Sequence, residues 1–156
     1  FLLNNDIVVD RKFLSELIAA AEQTPQIGIA GPTIYYYDRP STVDFAGEDL
    51  TLWRVKGKEY CTKSTKPREV DKIEGSCMLI RKSLLDKIGL FYSKFWAYWE
   101  ETDLCFRAKK AGFKVVYLPK SEVWHKVAAS SGGENNLLRQ YYLNRNRFLF
   151  AKRNLS

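Results

Sequence analysis

The chain has 156 residues, 46% hydrophobic and 28% charged, with 25 basic and 18 acidic side chains giving a formal charge of +7. This length suits one domain with a real core, the composition is not that of a disordered segment, and no stretch resembles a membrane span. The positive balance favours anionic partners: phosphates, a membrane face or nucleic acid.

Taken in chain order, residues 1–3 read as the end of a buried strand, and Asn4-Asn5-Asp6 as the turn that follows it. Apolar residues at 3.6 spacing predict a helix over 11–23, stopped by Pro25. The apolar run 27–32 predicts a buried strand, and 33–37 a second one. Residues 38–71 carry mixed charge and scattered turn formers, so irregular loop and short edge strands are expected there. After Gly75-Ser76, residues 77–80 predict a central strand and 82–88 a short helix closed by Gly89. A helix over 101–111 should stop at Gly112; strands are expected over 113–118, ending at Pro119, and over 121–124. Gly132-Gly133 marks a mobile turn, and 134–154 reads as a long basic amphipathic helix. Alternating strands and helices give an α/β class with a partly parallel sheet. The opening lacks Met and begins on an apolar strand, which reads as a cut inside a larger domain. Cys61, Cys77 and Cys105 have no CxxC spacing, so a disulfide framework or zinc site has little support; Cys77 and Cys105 read as buried thiols of a reducing compartment.

The chemistry concentrates in three places. Trp99-Glu100-Glu101-Thr102-Asp103 sets three carboxylates in four positions behind an aromatic run. Like charges repel, so such a cluster calls for a cation, a metal or proton transfer. Its plain alternative is an acidic helix start facing the positive end of the dipole. Asp6 follows an apolar strand, the position at which open α/β sheets bind ligands, and a hard cation such as Mg²⁺ or Mn²⁺ wants such an oxygen. An ordinary Asx turn is the alternative there. His125, the one histidine, ends a strand-like segment and could complete a carboxylate–imidazole metal site.

Together, Leu2-Leu3-Asn4-Asn5-Asp6, Gly75-Ser76-Cys77-Met78-Leu79-Ile80-Arg81, Trp99 to Arg107 with Gly112-Phe113, and His125 resemble the family 2 glycosyltransferases. The similarity is greatest to the rhamnosyltransferase-like branch that builds cell-surface polysaccharides. The resemblance implies a GT-A fold with a mixed, mostly parallel sheet flanked by helices. Residues 1–156 would be its C-terminal two-thirds, without the first nucleotide-binding strands. It implies inverting, metal-dependent transfer from a nucleotide-sugar to a saccharide or polyprenyl-linked acceptor. Asp6 falls at the last acidic position of the DxD-type metal motif, with Asn4 in place of the first acid. Glu101 falls where the catalytic base, usually Asp, is expected, with Glu100 and Asp103 as competitors. His125 matches a position that helps bind the metal or diphosphate in relatives. Gly75 and Ser76 would admit the donor sugar, and Arg145 could turn inward to the diphosphate. Trp96, Tyr98 and Trp99 would offer faces to the acceptor.

Two other classes remain. The Asn4 and Glu101 departures allow a non-catalytic scaffold. The basic charge allows a nucleic-acid-binding module, although no recognised motif supports one and the acidic cluster opposes it. In the last helix Leu137, Leu138, Tyr141, Tyr142, Arg145, Phe148 and Leu149 recur at helical spacing as a packing stripe. Arg139, Arg147, Lys152 and Arg153 leave a positive surface suited to anionic lipid, so a cytoplasmic protein peripheral on the inner face of the plasma membrane is expected.

Overall fold

A computed structural model of the chain describes residues 1–126 and 136–155. Two long strands form its spine: β3 (Ile27–Tyr36) and β9 (Lys114–His125). They run parallel, from Ile27 opposite Lys114 to Tyr36 opposite His125. Shorter strands pair antiparallel with them. On one edge β8 (Cys77–Ile80) pairs with the first half of β3 and β4 (Val43–Phe45) with the second. On the other, β7 (Arg68–Glu69) pairs with the first half of β9 and β2 (Ile7–Val9) with the second. β1 (Leu2–Leu3) closes the outer edge against β8. The expected α/β sheet is present, but among the described strands only β3–β9 is a parallel pair, which corrects the mostly parallel arrangement. A separate hairpin joins β5 (Glu48–Thr51) to β6 (Lys56–Glu59) through a 3-10 turn, Leu52–Arg54.

Alternation along the spine assigns each face. Ile29, Val115 and Tyr117 point to one core; Ala30, Val116 and Leu118 point to the other. The first core is covered by α2 (Lys82–Ile88) and α3 (Glu100–Lys110) through Leu84, Leu104 and Cys105. The second is covered by α1 (Phe13–Gln23), whose Leu17 is fully buried. Gly89 and Gly112 end or follow helices with φ of 78° and 87°, a left-handed geometry that glycine adopts without Cβ strain. The last helix, α4 (Leu137–Asn154), starts at Asn136, whose Oδ1 accepts from the Leu138 and Arg139 amides. Gly132-Gly133 and residues 134–135 lie outside the described residues.

Several expectations change. The two strands expected over 27–37 are one, and so are the two over 113–124. Pro32 pairs opposite Leu118 and Thr33 opposite Glu122, so three extra residues of β9, Pro119 among them, bulge out at that step. The prolines mark this irregularity and not strand ends, because a bulge takes up the missing N–H. The opening strand is an edge, with Phe1 and Leu3 nearly half exposed, and not a buried one. The packing face of α4 also differs. Phe150 and Asn146 are buried, whereas Leu137, Leu138, Tyr141 and Phe148 are exposed.

Candidate active site

The topology brings four chain segments to the carboxyl end of the β3–β9 pair. β9 ends at His125, where β2 and β3 flank it at Ile7 and Tyr36. The turn before β2 therefore sets Asp6 beside the imidazole, with Asp6 Oδ1 3.4 Å from His125 Nε2. β1 runs antiparallel to β8, and the Asn4 amide donates to the Ser76 carbonyl at 2.9 Å. Gly75 in turn lies against the next segment: a Cβ added there would stand 3.6 Å from Glu101 Cβ. Asp6, Asn4, Ser76, Gly75 and Glu101 thus follow one another across one end of the sheet. Ser76 is buried, and its hydroxyl has no hydrogen-bond partner.

The pair Asp6–His125 fits a hard divalent cation in its chemistry. Asp6 Oδ1 and His125 Nδ1 are both buried without a hydrogen-bond partner, and a carboxylate with an imidazole leaves room for phosphate and water oxygens. Among the described residues no set of three or more His, Cys, Asp or Glu side chains surrounds one point. The site would therefore depend on its substrate for the remaining ligands.

Glu100 and Glu101 begin α3, where backbone N–H groups are free and the dipole is positive. Each keeps one buried carboxylate oxygen, Oε2, without a partner. The other oxygen of Glu101 lies 3.4 Å from Lys72 Nζ, and Lys72 also bonds Glu48 at 2.8 Å. Burial opposes the Lys72 charge, but Glu101 and Glu48 outweigh it and hold its pKa above the ordinary 10.5. Loss of solvent, reinforced by the Glu101 charge, pushes Glu100 up to about 7. Loss of solvent likewise pushes Glu74 up to about 7, although Lys72 pulls it the other way. One cation therefore serves several crowded carboxylates, and burial keeps Glu74 and Glu100 protonated to higher pH than an ordinary carboxyl.

Asp103 stands apart. It is fully buried, and both oxygens are engaged: Oδ2 by Arg107 at 2.7 Å, Oδ1 by Arg153 at 3.1 Å and Asn154 at 2.9 Å. This carboxylate ties α3 to α4 and has no oxygen left for a substrate proton, which corrects its candidacy as the base. Arg145 donates to the side-chain oxygen of its neighbour Asn146 at 3.0 Å and lies over the Tyr142 ring. Trp96 is 69% exposed and packs on Tyr142 at 4.7 Å between ring centroids, whereas Trp99 packs on the buried Phe150. Of the three aromatics, Trp96 offers the open face. Sequence reasoning missed Lys72, Glu48 and Glu74, which carry no motif. It also missed Asn146, which lies between Arg145 and Arg147 and reads as one more polar residue of a basic helix.

The profile of the family described as "Glycosyltransferase like family 2" matches residues 1–147. A curated protein of Mycobacterium tuberculosis, "N-acetylglucosaminyl-diphospho-decaprenol L-rhamnosyltransferase", is 42% identical over 65 residues, covering 42% of this chain and 21% of that protein. "Low-salt glycan biosynthesis hexosyltransferase Agl10" of Haloferax volcanii is 26% identical over 155 residues, covering 95% of this chain and 48% of that protein. The chain therefore spans less than half the length of these relatives. Among solved structures, "GalNAc-T7 with UDP, GalNAc and Mn2+" superposes with a TM-score of 0.60 at 17% identity, over 80% of this chain and 26% of that one. This last likeness concerns the fold, which is the GT-A-like arrangement of a central sheet flanked by helices.

Proposed function

Because the chain belongs to glycosyltransferase family 2 through its match over residues 1–147, we propose that its protein carries out metal-dependent, inverting glycosyl transfer. The donor is a nucleotide-diphospho-sugar, and the acceptor a saccharide or lipid-linked saccharide of surface polysaccharide synthesis. The observation that carries this reading is the path from the Asp6–His125 pair through Asn4, Ser76 and Gly75 to Glu101. A donor-binding pair and a proton acceptor must meet at one reacting centre, and this end of the sheet supplies both. The rhamnosyl and hexosyl transfer in the relatives' names supports the same class.

Asp6 and His125 would hold a divalent cation, which supplies charge neutralisation to a departing diphosphate. Glu101, fixed by Lys72 through one oxygen, uses its bare Oε2 to take the proton of the acceptor hydroxyl. The hydroxyl oxygen then bonds to the anomeric carbon as the bond to the diphosphate breaks on the opposite face, and the configuration inverts. Gly75 keeps the space beside Glu101 free of a side chain. Glu100 sits beside Glu101, whose charge helps to raise the Glu100 pKa, and the exposed Trp96 supports the acceptor. The basic face of α4 suits a lipid-borne acceptor at an anionic membrane surface.

The test uses the full-length protein. Glu101→Gln should lower transfer by about 10³-fold or more while nucleotide-sugar and Mn²⁺ binding stay near wild type, because only the proton acceptor is lost. Asp6→Asn should instead weaken Mn²⁺-dependent donor binding. Full activity in Glu101→Gln moves the base to Glu100; full activity in Glu100→Gln as well removes the mechanism.

A further inference from the structure

Three of the four residues before α3 are held in a costly backbone. Trp96, Tyr98 and Trp99 have φ of 63°, 64° and 74°, a region that bulky L-residues avoid. At Trp96, with ψ near −59°, the Ala97 amide donates back to the Phe95 carbonyl at 2.8 Å, giving the rarer and more strained form of γ-turn. Each such residue stores strain and persists only when its surroundings enforce it. Here the enforcing group is on another element. Asn146 of α4 is fully buried, and the two protons of its Nδ2 are shared among the carbonyls of Phe95 (2.8 Å), Ala97 (2.7 Å) and Tyr98 (2.8 Å). Arg145 occupies the amide oxygen and so fixes which end of the amide faces the turn. The rings of Trp96 on Tyr142 and Trp99 on Phe150 close the same contact from either side. Trp99 is also the residue from which α3 starts, and its carbonyl accepts from the Asp103 amide at 2.8 Å.

We propose that Asn146 is a positioning residue of the transfer reaction: its side-chain amide imposes the left-handed turn that aims Glu100 and Glu101 into the site. This rests on the glycosyl-transfer reading above. A structural polar residue in a helix interface needs only to satisfy itself. Asn146 instead gathers three carbonyls of one four-residue stretch, directly ahead of the two carboxylates that carry the chemistry. Without these donors the turn relaxes towards right-handed backbone, and the first turn of α3 rotates the carboxylates away from the acceptor hydroxyl. The register of the Asp6–His125 pair is set by β2 and β9, so it is left in place.

In the full-length protein, Asn146→Asp keeps the volume but removes the donors, and Asn146→Ser keeps one. Transfer is followed as nucleoside diphosphate released from UDP-GlcNAc, UDP-Gal, GDP-Man and dTDP-rhamnose. For Asn146→Asp we expect kcat to fall about 100-fold, as for a misplaced catalytic group, with donor KM within about twofold of wild type. Asn146→Ser should give an intermediate loss and serves if the Asp variant does not fold. Hydrogen exchange of the segment 95–103 should quicken by about tenfold while that of α1 is unchanged. Leu17→Ala, in the opposite core, provides a destabilised control with wild-type kcat below its melting temperature. A kcat for the Ser variant within threefold of wild type, or a loss no larger than the control shows, overturns the proposal. If Glu101→Gln or Glu100→Gln abolishes transfer while the Asn146 variants keep it, this inference alone falls. A wild type that transfers from none of these donors removes both readings.

Discussion

The side chains around Lys72 show how far burial sets the charge state of single residues. Glu74 titrates at about 7 in the folded protein against an ordinary 4.5, first because of lost solvation. Between these two values the unfolded chain has released a proton that the folded protein still holds. The folded state thus binds more protons, and the Glu74 contribution lowers stability as pH rises from about 4.5 to 7, then levels off. Glu100, raised in the same way, acts in the same direction. Glu74→Gln should therefore flatten the fall in melting temperature between pH 5.5 and 7.5. Melts followed by circular dichroism at several pH values check this, and an identical slope in variant and wild type would refute it. Such shifts were invisible in the sequence. Asp71-Lys72-Ile73-Glu74 is an unremarked polar string until the fold sets it beside Glu48 and Glu101. The Glu100–Glu101 pair, by contrast, stood out in the sequence as neighbouring carboxylates behind an aromatic run, although a helix start also favours acids. Asp103 shared that cluster, and only its partners from α4 reveal its separate work.

Among the elements, the helices were legible and the strand boundaries were not. Helix ends are local events: Gly89 and Gly112 carry the stop in their own backbone. Strand continuity is decided by the neighbour, and neither Pro32 nor Pro119 announces that a bulge will carry the spine past it. The packing face of α4 escaped for a related reason. Its buried side consists of Asn146 and Phe150, with Arg153 and Asn154 reaching Asp103, a polar face that apolar periodicity does not find. The helix is nonetheless held by a large apolar contact, because Phe150 meets both Trp99 and Phe106. Phe150→Ala should cost about 3–5 kcal/mol of stability, the range for removing a buried phenyl ring. Urea denaturation of the full-length protein measures it, and a loss below about 1 kcal/mol would mean that α4 is only loosely attached.

At the scale of the whole molecule, charge and exposed aromatics gather where the β5–β6 hairpin meets α4. Arg147 donates to the Arg54 carbonyl; their chain neighbours Phe148 (76% exposed) and Trp53 (78% exposed) are both open to solvent. The Arg54 guanidinium lies over the Trp53 ring, and Lys56 follows it. In the sequence these basic residues belonged to two unconnected segments; the fold joins them. Among the described residues no helix is long and apolar enough to cross a membrane. Basic residues near an anionic surface contribute about 1 kcal/mol each, so this face should give salt-sensitive, reversible binding to phosphatidylserine vesicles. Co-sedimentation at low salt tests it. Binding should exceed that to neutral phosphatidylcholine vesicles and weaken in Trp53→Ala with Arg147→Ala. Equal and negligible binding to both vesicle types would make the face a solvated one.

The clamp on residues 95–98 also has a consequence for synthesis on the ribosome. Asn146 follows Phe95 by 51 positions in the chain. At about 5–20 residues per second, roughly 3–10 s separate translation of the carboxylate-bearing segment from that of the amide that holds it. β9 is translated within this interval, so its pairing with β3 can begin while the turn ahead of α3 still lacks its anchor. Within residues 1–156, the strands of the sheet are therefore all translated before the amide that fixes the turn ahead of α3.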